Sequence, residues 1–521
     1  MGAVVCAIDN SFAAGDDEYA TITAFLSSTE ARALNHSDLE RQLEGMGREL
    51  MRKLLQAHLD LRQPGAAVEP VRDADGGPRA PTPVQARTVE TIFGTVTVSR
   101  TGYQAEGTAS LHPLDGELNL PPEKYSLEVR RRVAIEAAKG AFEEGVQALE
   151  LYTGAHVPKR QFEQLVVRAA QDFEAFYQDR QQRAHAAPDP GPVLILTVDG
   201  KGVVMRPEDL RDATRRAAAA RTETFTARLK QGRRLHAKRM ASVAAIYTSE
   251  RFVRTPEEIL PPLGDPPVEG PSRPRPEHKR VWASLEHSPE DVITAMFDEA
   301  ASRDPTGQKR WVAVVDGNLP QLTWLQQVAR QRHLAVPIVV DFIHVAQYVW
   351  DVARAFFPQD PARQDRWVQS HLLEILRGKA SVVAGGIRRS ATRRGMAAAD
   401  REPVDACADY LLNNAPYLQY DKALAEGLPI ASGVVEGTCR HLINDRMNVT
   451  GARWSLQGAE AVLRLRALRA SGDFDAYWEF HEHQEYERNH AAHYAGHHVP
   501  ATTVPPTPSK LQRSRLKIVK K

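Results

Sequence analysis

The sequence predicts an α/β core that carries an all-α insertion, preceded by a mainly helical N-terminal region with a short β-hairpin. Three observations predict it. The apolar runs 193–198, 311–315 and 336–340 each end in an acid, Asp199, Asp316 and Asp341; strands this apolar lie in sheets covered on both faces. The stretches between these runs are compatible with helices, as βαβ connections require. Residues 345–426 repeat apolar positions at helical spacing, and this predicts the all-α insertion.

At 521 residues the chain exceeds the roughly 250 at which single cores stop growing. An apolar fraction of 42% and a charged fraction of 26% exclude a generally disordered or fibrous chain. No run reaches the roughly 18 apolar residues of a membrane span, and the first residues carry acids rather than the basic start of a secretory signal. A cytoplasmic location is therefore expected. Cys6, Cys407 and Cys439 are odd in number and far apart, which fits neither a disulfide framework nor a four-cysteine zinc site.

In order along the chain, residues 1–63 read as a helical leader, closed by a Pro/Gly-rich connector at 64–83. Alternating runs at 88–93 and 95–98 flank Gly94 and predict the hairpin. Helical pattern resumes at Ser126 and is broken by the small loop Thr153-Gly154-Ala155, and within 84–180 this places two helices around a short Gly-containing turn, with Lys159, Arg160 and Gln161 opening the second. Both a DNA-reading helix-turn-helix and a plain helical hairpin have this pattern. The core is expected over 193–345, with further strand segments at 241–247 and 252–253 and a loop of eight prolines over 256–276. The insertion occupies 346–430 and the remainder of the core 431–480, where Ser432-Gly433 starts a helix carrying Glu436 and a further helix covers 455–470. A His-rich segment and basic tail complete the chain over 481–521, the tail being expected to lack fixed structure.

A formal charge of +1 is uninformative, but its distribution is not. Residues 201–239 hold twelve basic side chains against four acids, and Arg377, Lys379, Arg388, Arg389, Arg393 and Arg394 form a second run without an acid. Acid-free runs on a neutral chain point to phosphate-facing surfaces. His481, His483, His490, His493, His497 and His498 lack cysteine partners and regular spacing, so a polar helix is favoured there over a zinc site.

Two neighbouring strands that end in Asp can place their carboxylates within a few ångströms of each other, and such a pair stays ionised only beside a cation. Oxygen-only ligands suit Mg²⁺ or Mn²⁺, and two such ions can activate an attacking hydroxyl and stabilise a leaving oxygen of a phosphodiester. Asp199 and Asp316 supply the pair, each followed by Gly, and Glu436 supplies a third carboxylate at a helix start.

The series Thr197-Val-Asp199-Gly-Lys-Gly202, Val314-Val-Asp316-Gly-Asn318, Asp341-Phe-Ile-His344 and Ser432-Gly-Val-Val-Glu436-Gly-Thr-Cys-Arg440 resembles the bacterial Kra-type insertion-sequence transposases, in the Mutator-like branch of the DDE enzymes. The likeness also takes in Phe93-Gly-Thr-Val-Thr-Val-Ser-Arg100, Leu111-His-Pro-Leu-Asp115, Thr153-Gly-Ala-His-Val-Pro-Lys-Arg-Gln161 and Thr450-Gly-Ala-Arg-Trp454. The resemblance implies an RNase H-like core with its insertion before the catalytic Glu, and intervals of 117 residues from Asp199 to Asp316 and 120 from Asp316 to Glu436 agree. It further implies that Asp199, Asp316 and Glu436 bind two Mg²⁺ or Mn²⁺ ions for cleavage and strand transfer. Asp341 and His344 match the branch's D-x-x-H signature, with substrate positioning and structural support both open as roles.

The implied partners are double-stranded DNA, as terminal inverted repeats and target, and a second copy of the chain on DNA. In the cell this corresponds to a nucleoid-associated protein. Expected DNA contacts are Lys159, Arg160 and Gln161, then Arg388, Arg389, Arg393 and Arg394, then Arg440 and Trp454. Arg440 can instead pair with Glu436, and Trp454 can pack under the last helix instead of stacking on a base. An RNase H-like nuclease without strand transfer, and a transposase-derived DNA-binding regulator, are the alternatives.

Overall fold

The computed structural model describes residues 11–62, 64–183, 191–220, 237–263, 272–449 and 451–503. The chain divides into two units. One comprises Met1–Asp172 with Asp475–Lys521, the other Phe173–Phe474. No helix among the described residues is long and apolar enough to cross a membrane.

In the first unit the leader forms helices Ala13–Ser27, Thr29–Ala33 and His36–Leu61. Ser28 and Asn35 cap the second and third by accepting from Ala31 and Asp38 N–H groups, as short oxygen side chains do at helix starts. The predicted hairpin is β1 (Gln85–Thr91) against β2 (Gly94–Arg100), and its apolar face, Val89, Val96 and Val98, buries against Leu59 and Leu114. Asp115 accepts ion pairs from Arg87 at 3.3 Å and Arg100 at 3.0 Å, so two strand residues and the Leu111–Asp115 motif hold one another. Four helices follow where one broken helix was expected, at Leu127–Lys139, Phe142–Tyr152, Lys159–Ala169 and Phe173–Arg183. The last of these opens the second unit.

The second unit is built on a mixed five-stranded sheet. Its strands are β3 (Val193–Val204), β4 (Lys238–Ser249), β5 (Glu277–Ser284), β6 (Arg310–Val315) and β7 (Ile338–Val340), in spatial order β5-β4-β3-β6-β7. The first three in sequence pair antiparallel; β6 and β7 run parallel to β3. On one face Val193, Ile195, Val312, Val314, Val339 and Val340 share a core with the helices of the insertion. On the other the sheet is covered by helices Pro289–Arg303 and Leu456–Ser471. Burial on both faces is why these strands read as unbroken apolar runs.

Four sequence expectations differ from what is observed here. Strand β3 does not end at Asp199-Gly200 but continues in antiparallel register to Val204 against Lys238, because Gly200 and Gly202 fit an extended backbone. Edge strand β5 was not anticipated: its outer half, Glu277, His278 and Lys279, is exposed and polar, as at a protected sheet edge. Phe252 and Val253 are not in a strand; Phe252 N–H bonds to Gly427 C=O at 3.0 Å instead. Finally, residues 475–503 group with the N-terminal unit rather than forming a separate segment after 480, and helix Phe474–Asn489 runs straight through that boundary. Of the expected basic residues, Arg221, Arg228, Lys230, Arg233 and Arg234 lie outside the described residues, as does the tail from 504.

The all-α insertion is borne by helices Phe342–Phe356, Pro361–Leu376, Ala380–Arg393, Ala398–Asn413 and Tyr420–Ala425. Its return to the sheet ends at Ser432, the residue before helix Gly433–Thr438, which carries Glu436 and runs into a π-helical turn, Cys439–Asn444.

Candidate active site

Register sets the site. Val198 pairs with Val315, and Val315 pairs with Val340, so Asp199, Asp316 and Asp341 each follow the last residue in parallel register on three adjacent strands, of which β3 alone continues, paired to β4. Neighbouring strands lie about 4.8 Å apart. Alternation then turns Asp199 and Asp316 to the face that Val193, Ile195, Val312 and Val314 bury against the insertion.

The two Asp-Gly motifs, alike in sequence, do different things. Gly317 sits at φ +84°, and a Cβ there would come within 3.0 Å of the Tyr410 hydroxyl and 3.2 Å of Asn414 Oδ1. The strand therefore turns sharply after Asp316, whose Oδ1 accepts from Asn318 N–H at 3.0 Å. Its carbonyl accepts from the Tyr410 hydroxyl at 2.7 Å, which ties the insertion to the loop. Gly200, by contrast, lies in the paired strand, where Asp199 Oδ1 accepts from its N–H at 2.6 Å.

Burial raises the Asp316 carboxyl above its ordinary value, and the Asn318 N–H works against this; the negative charge of Asp199 raises it further, while His344 lowers it. The two Asp carboxylates thus feel each other. Glu436 reaches the same place from the opposite direction in sequence: its helix packs on β3 and β4. One turn on, the Cys439 thiol donates to Asp199 Oδ2 at 3.2 Å. Burial, then the charge of Asp199, pushes that thiol far up, and Glu436 adds to the effect. Asp199, Asp316 and Glu436 therefore share one electrostatic neighbourhood. The exposed Glu436 and half-buried Asp199 and Asp316 offer oxygen donors only, and the charge of Asp199 raises the Asp316 carboxyl. That donor set fits a hard divalent cation.

Among the described residues, the tightest metal-capable trio is a different one: Asp172, His481 and Glu485, whose ligand atoms lie within 4.8 Å of one another in the first unit. This buried group could hold an ion, but its acceptors are already engaged. Asp172 Oδ2 meets His481 Nδ1 at 2.7 Å and its Oδ1 accepts from Arg488. Glu485 accepts from Gln171 at 2.9 Å, from the fully buried Arg130 and from Arg488. Two guanidinium groups already balance the two carboxylates. His481 is thus a core residue, which the expectation of a polar helix over the histidine-rich segment did not anticipate.

The remaining expected residues divide. Lys159, Arg160 and Gln161 open an exposed helix end, with Lys159 3.3 Å from Glu143 and Gln161 accepting from the Tyr125 hydroxyl. Gly154 in the preceding turn is required by packing: a Cβ would stand 2.8 Å from the backbone of Phe93 and Gly94. The arginine run is acid-free only in sequence. Arg388 pairs with Asp409 at 2.6 Å and Asp405 at 3.5 Å across a helix pair. Arg394 donates to Phe356 C=O and lies over the Phe356 and Phe357 rings. Arg389, Arg393 and Arg394 are exposed and Arg388 is half-buried; of the exposed three, Arg394 is the one held against the Phe356 and Phe357 rings.

For two further residues the sequence leaves alternatives open. Trp454 is 6% exposed, donates its indole N–H to Met447 C=O at 3.1 Å and lies under the Arg446 guanidinium. Its face is occupied by protein, so it packs and does not offer a platform for a base. Arg440 lies 3.9 Å from Asp445, on the next helical turn, instead of pairing with Glu436. Asp341 is 4% exposed and bonded to Ser432, and the half-buried His344 stands close enough to Asp316 to affect it. Sequence reasoning read Ser432 only as a helix start and Cys439 only as an unpaired cysteine within the same motif, three residues after Glu436 and so on the same helix face, and it missed Tyr410.

No family model matches the chain, and no curated protein matches it. Among solved structures it is similar, at a TM-score of 0.21 and 8% identity, to the Drosophila P element transposase strand transfer complex, over 67% of this chain and 79% of that one. A likeness at that level carries no argument about fold or function.

Proposed function

We propose that the chain is a DDE transposase of the Kra-type branch, cleaving DNA at the ends of its mobile element and joining the liberated 3′-hydroxyl to target DNA. The observation that carries this reading is the register: Asp199 and Asp316 follow the last parallel pair, Val198 with Val315, of two adjacent strands, and a helix after an all-α insertion returns Glu436 to the same neighbourhood. The strand order, third-second-first-fourth-fifth with the first three antiparallel, supports the RNase H-like assignment. Mg²⁺ or Mn²⁺ ions held by Asp199, Asp316 and Glu436 would supply charge neutralisation for the attacking and leaving oxygens. The chain's own part is to hold the two aspartates on central strands of the sheet and Glu436 on the helix packed against them, with Gly317 and Tyr410 fixing the Asp316 turn. Exposed arginines supply phosphate contacts and the Lys159–Gln161 helix end supplies base contacts, on a duplex bound as inverted repeats by at least two copies.

The test is incubation of the protein with the flanking element ends and Mg²⁺, reading both cleavage and joining products. Nicked or cut ends with strand-transfer products are expected. Cleavage without joining favours the nuclease, and binding without cleavage favours the regulator; either outcome overturns the transposase reading.

A further inference from the structure

We propose that Asp341 is a positioning residue: its carboxylate clamps Ser432 and so fixes where the following helix holds Glu436 beside Asp199 and Asp316. The inference rests on the catalytic reading above for the importance of Glu436, but the clamp itself is a matter of geometry.

Three register-adjacent acids follow the parallel-paired stretches of three neighbouring strands, and the third differs from the first two. Asp341 Oδ1 accepts from Ile343 N–H at 2.6 Å, capping helix Phe342–Phe356. Its Oδ2 accepts from Ser432 N–H at 2.7 Å and from the Ser432 hydroxyl. With both oxygens engaged and 4% exposure, Asp341 faces inward and is a poor candidate for a third metal ligand. A second tie runs alongside, from Phe342 N–H to Ile430 C=O at 2.9 Å.

Ser432 stands just before helix Gly433–Thr438, where a serine hydroxyl ordinarily caps the first turn. Here it makes no such cap and its hydroxyl is given to Asp341. The helix it starts is weak at this end: of its first six residues, two, Gly433 and Gly437, have nothing within 4 Å of where a Cβ would stand, and the helical run then passes into the π turn Cys439–Asn444. Glycine costs about 1 kcal/mol per position in a helix, so this first turn is the one prone to fray. Its first-turn bonds run from Val435 N–H, at 2.9 Å, and from Glu436 N–H itself, at 3.3 Å, to Ser432 C=O. The catalytic Glu is therefore one hydrogen bond from the clamped residue. A weak helix at the end of a long insertion needs an external anchor, and Asp341 is that anchor.

Full-length wild type, Asp341→Asn, Ser432→Ala, the double variant and Asp199→Asn are compared by backbone hydrogen exchange, by Mn²⁺ titration without DNA, and by cleavage of element ends. In Asp341→Asn, exchange at 433–438 is expected to rise at least about tenfold while that at 193–198 stays unchanged. Its tightest Mn²⁺ should bind within about threefold of wild type, and kcat should fall about 100-fold with KM for DNA within about threefold, the pattern of a misplaced group. Ser432→Ala keeps the backbone bond and should show the same pattern more weakly. It also preserves the test if Asp341→Asn does not fold. The double variant should be no worse than Asp341→Asn, because the two residues act through one contact.

Unchanged exchange at 433–438 in both single variants overturns the clamp. So does loss of Mn²⁺ binding in Asp341→Asn as complete as in Asp199→Asn, which makes Asp341 a ligand. If wild type cleaves nothing, the catalytic reading falls, and the exchange comparison still decides the clamp.

Discussion

At the scale of single residues, charge repulsion in the site makes the clearest expectations. On the proposed reading, Asp199→Asn or Asp316→Asn keeps the shape but removes an anionic metal ligand, so cleavage should fall below about one-tenth of wild type, with DNA binding retained in a mobility assay. Wild type should then gain Tm with the logarithm of the Mg²⁺ concentration over its Kd, and each variant should lose that gain. The metal-free proteins should differ in the opposite sense. The folded Asp316 carboxyl holds its proton to higher pH than the unfolded chain does, because of burial and Asp199. The resulting penalty is absent below the ordinary carboxylate value, near 3.8, grows as pH rises to the raised value and is constant above it. Asp316→Asn should therefore raise the Tm of the metal-free protein at pH 7. A lower Tm would show that the ionised carboxylate is stabilised by partners, contrary to the electrostatics of the site.

The paired Asp-Gly motifs make a second residue-scale test. Gly317→Ala forces a side chain into the left-handed region, about 1–2 kcal/mol, and against the Tyr410 hydroxyl, which should lower both Tm and cleavage rate. Gly200→Ala meets only Met240 at 3.4 Å in an extended strand and should cost under about 1 kcal/mol. Nothing in the local sequence separates the two glycines. Their difference depends on Tyr410 and Asn414, about 95 residues downstream, and tertiary partners of that kind leave no mark on a five-residue motif.

At the scale of elements, legibility follows periodicity and fails at edges. The apolar runs of β3, β6 and β7 and their terminal acids were readable because both faces are buried. Strand β5 was not, since an edge strand keeps polar residues such as Lys279. The arginine run on helix Ala380–Arg393 misled for another reason: its acids, Asp405 and Asp409, come from the next helix. This changes the expected salt dependence of DNA binding. Each phosphate contact contributes a slope of about −0.9 in log affinity against log salt. Replacing Arg389 and Arg393 by Ala should flatten that slope by about 1.8, equally on specific and random duplex. Replacing Arg388 should leave the slope alone and lower Tm slightly, as loss of an exposed pair costs under about 1 kcal/mol. A slope change from Arg388 equal to that from Arg389 would mean the ion pairs with Asp405 and Asp409 open on DNA.

At the scale of the whole molecule, the chain leaves the first unit at Asp172 and returns to it at Asp475, so that unit is assembled from both ends of the sequence. The C-terminal helix supplies core groups rather than an appendage. His481 is fully buried against Asp172, the Tyr477 hydroxyl donates to Ala169 C=O at 2.6 Å, and Glu485 meets the fully buried Arg130 at 2.5 Å. Removing Glu485 alone leaves that buried guanidinium with the longer pair to Glu123, at 3.5 Å, so the loss should stay below the roughly 3–5 kcal/mol of a fully unpaired buried charge. A chain ending at Asp473 should therefore lose protection from hydrogen exchange throughout 85–170, including the Lys159–Gln161 helix end, and with it preference for the element's own ends. Exchange in β3 and β6 should be unaffected, because both strands and the helices over them lie within Phe173–Phe474. A chain ending at 503 keeps every one of these contacts and should keep the protection. Should the Asp473-terminated chain instead protect 85–170 as wild type does, the N-terminal residues fold without the returning helix, and the His481, Tyr477 and Glu485 contacts are incidental to that unit.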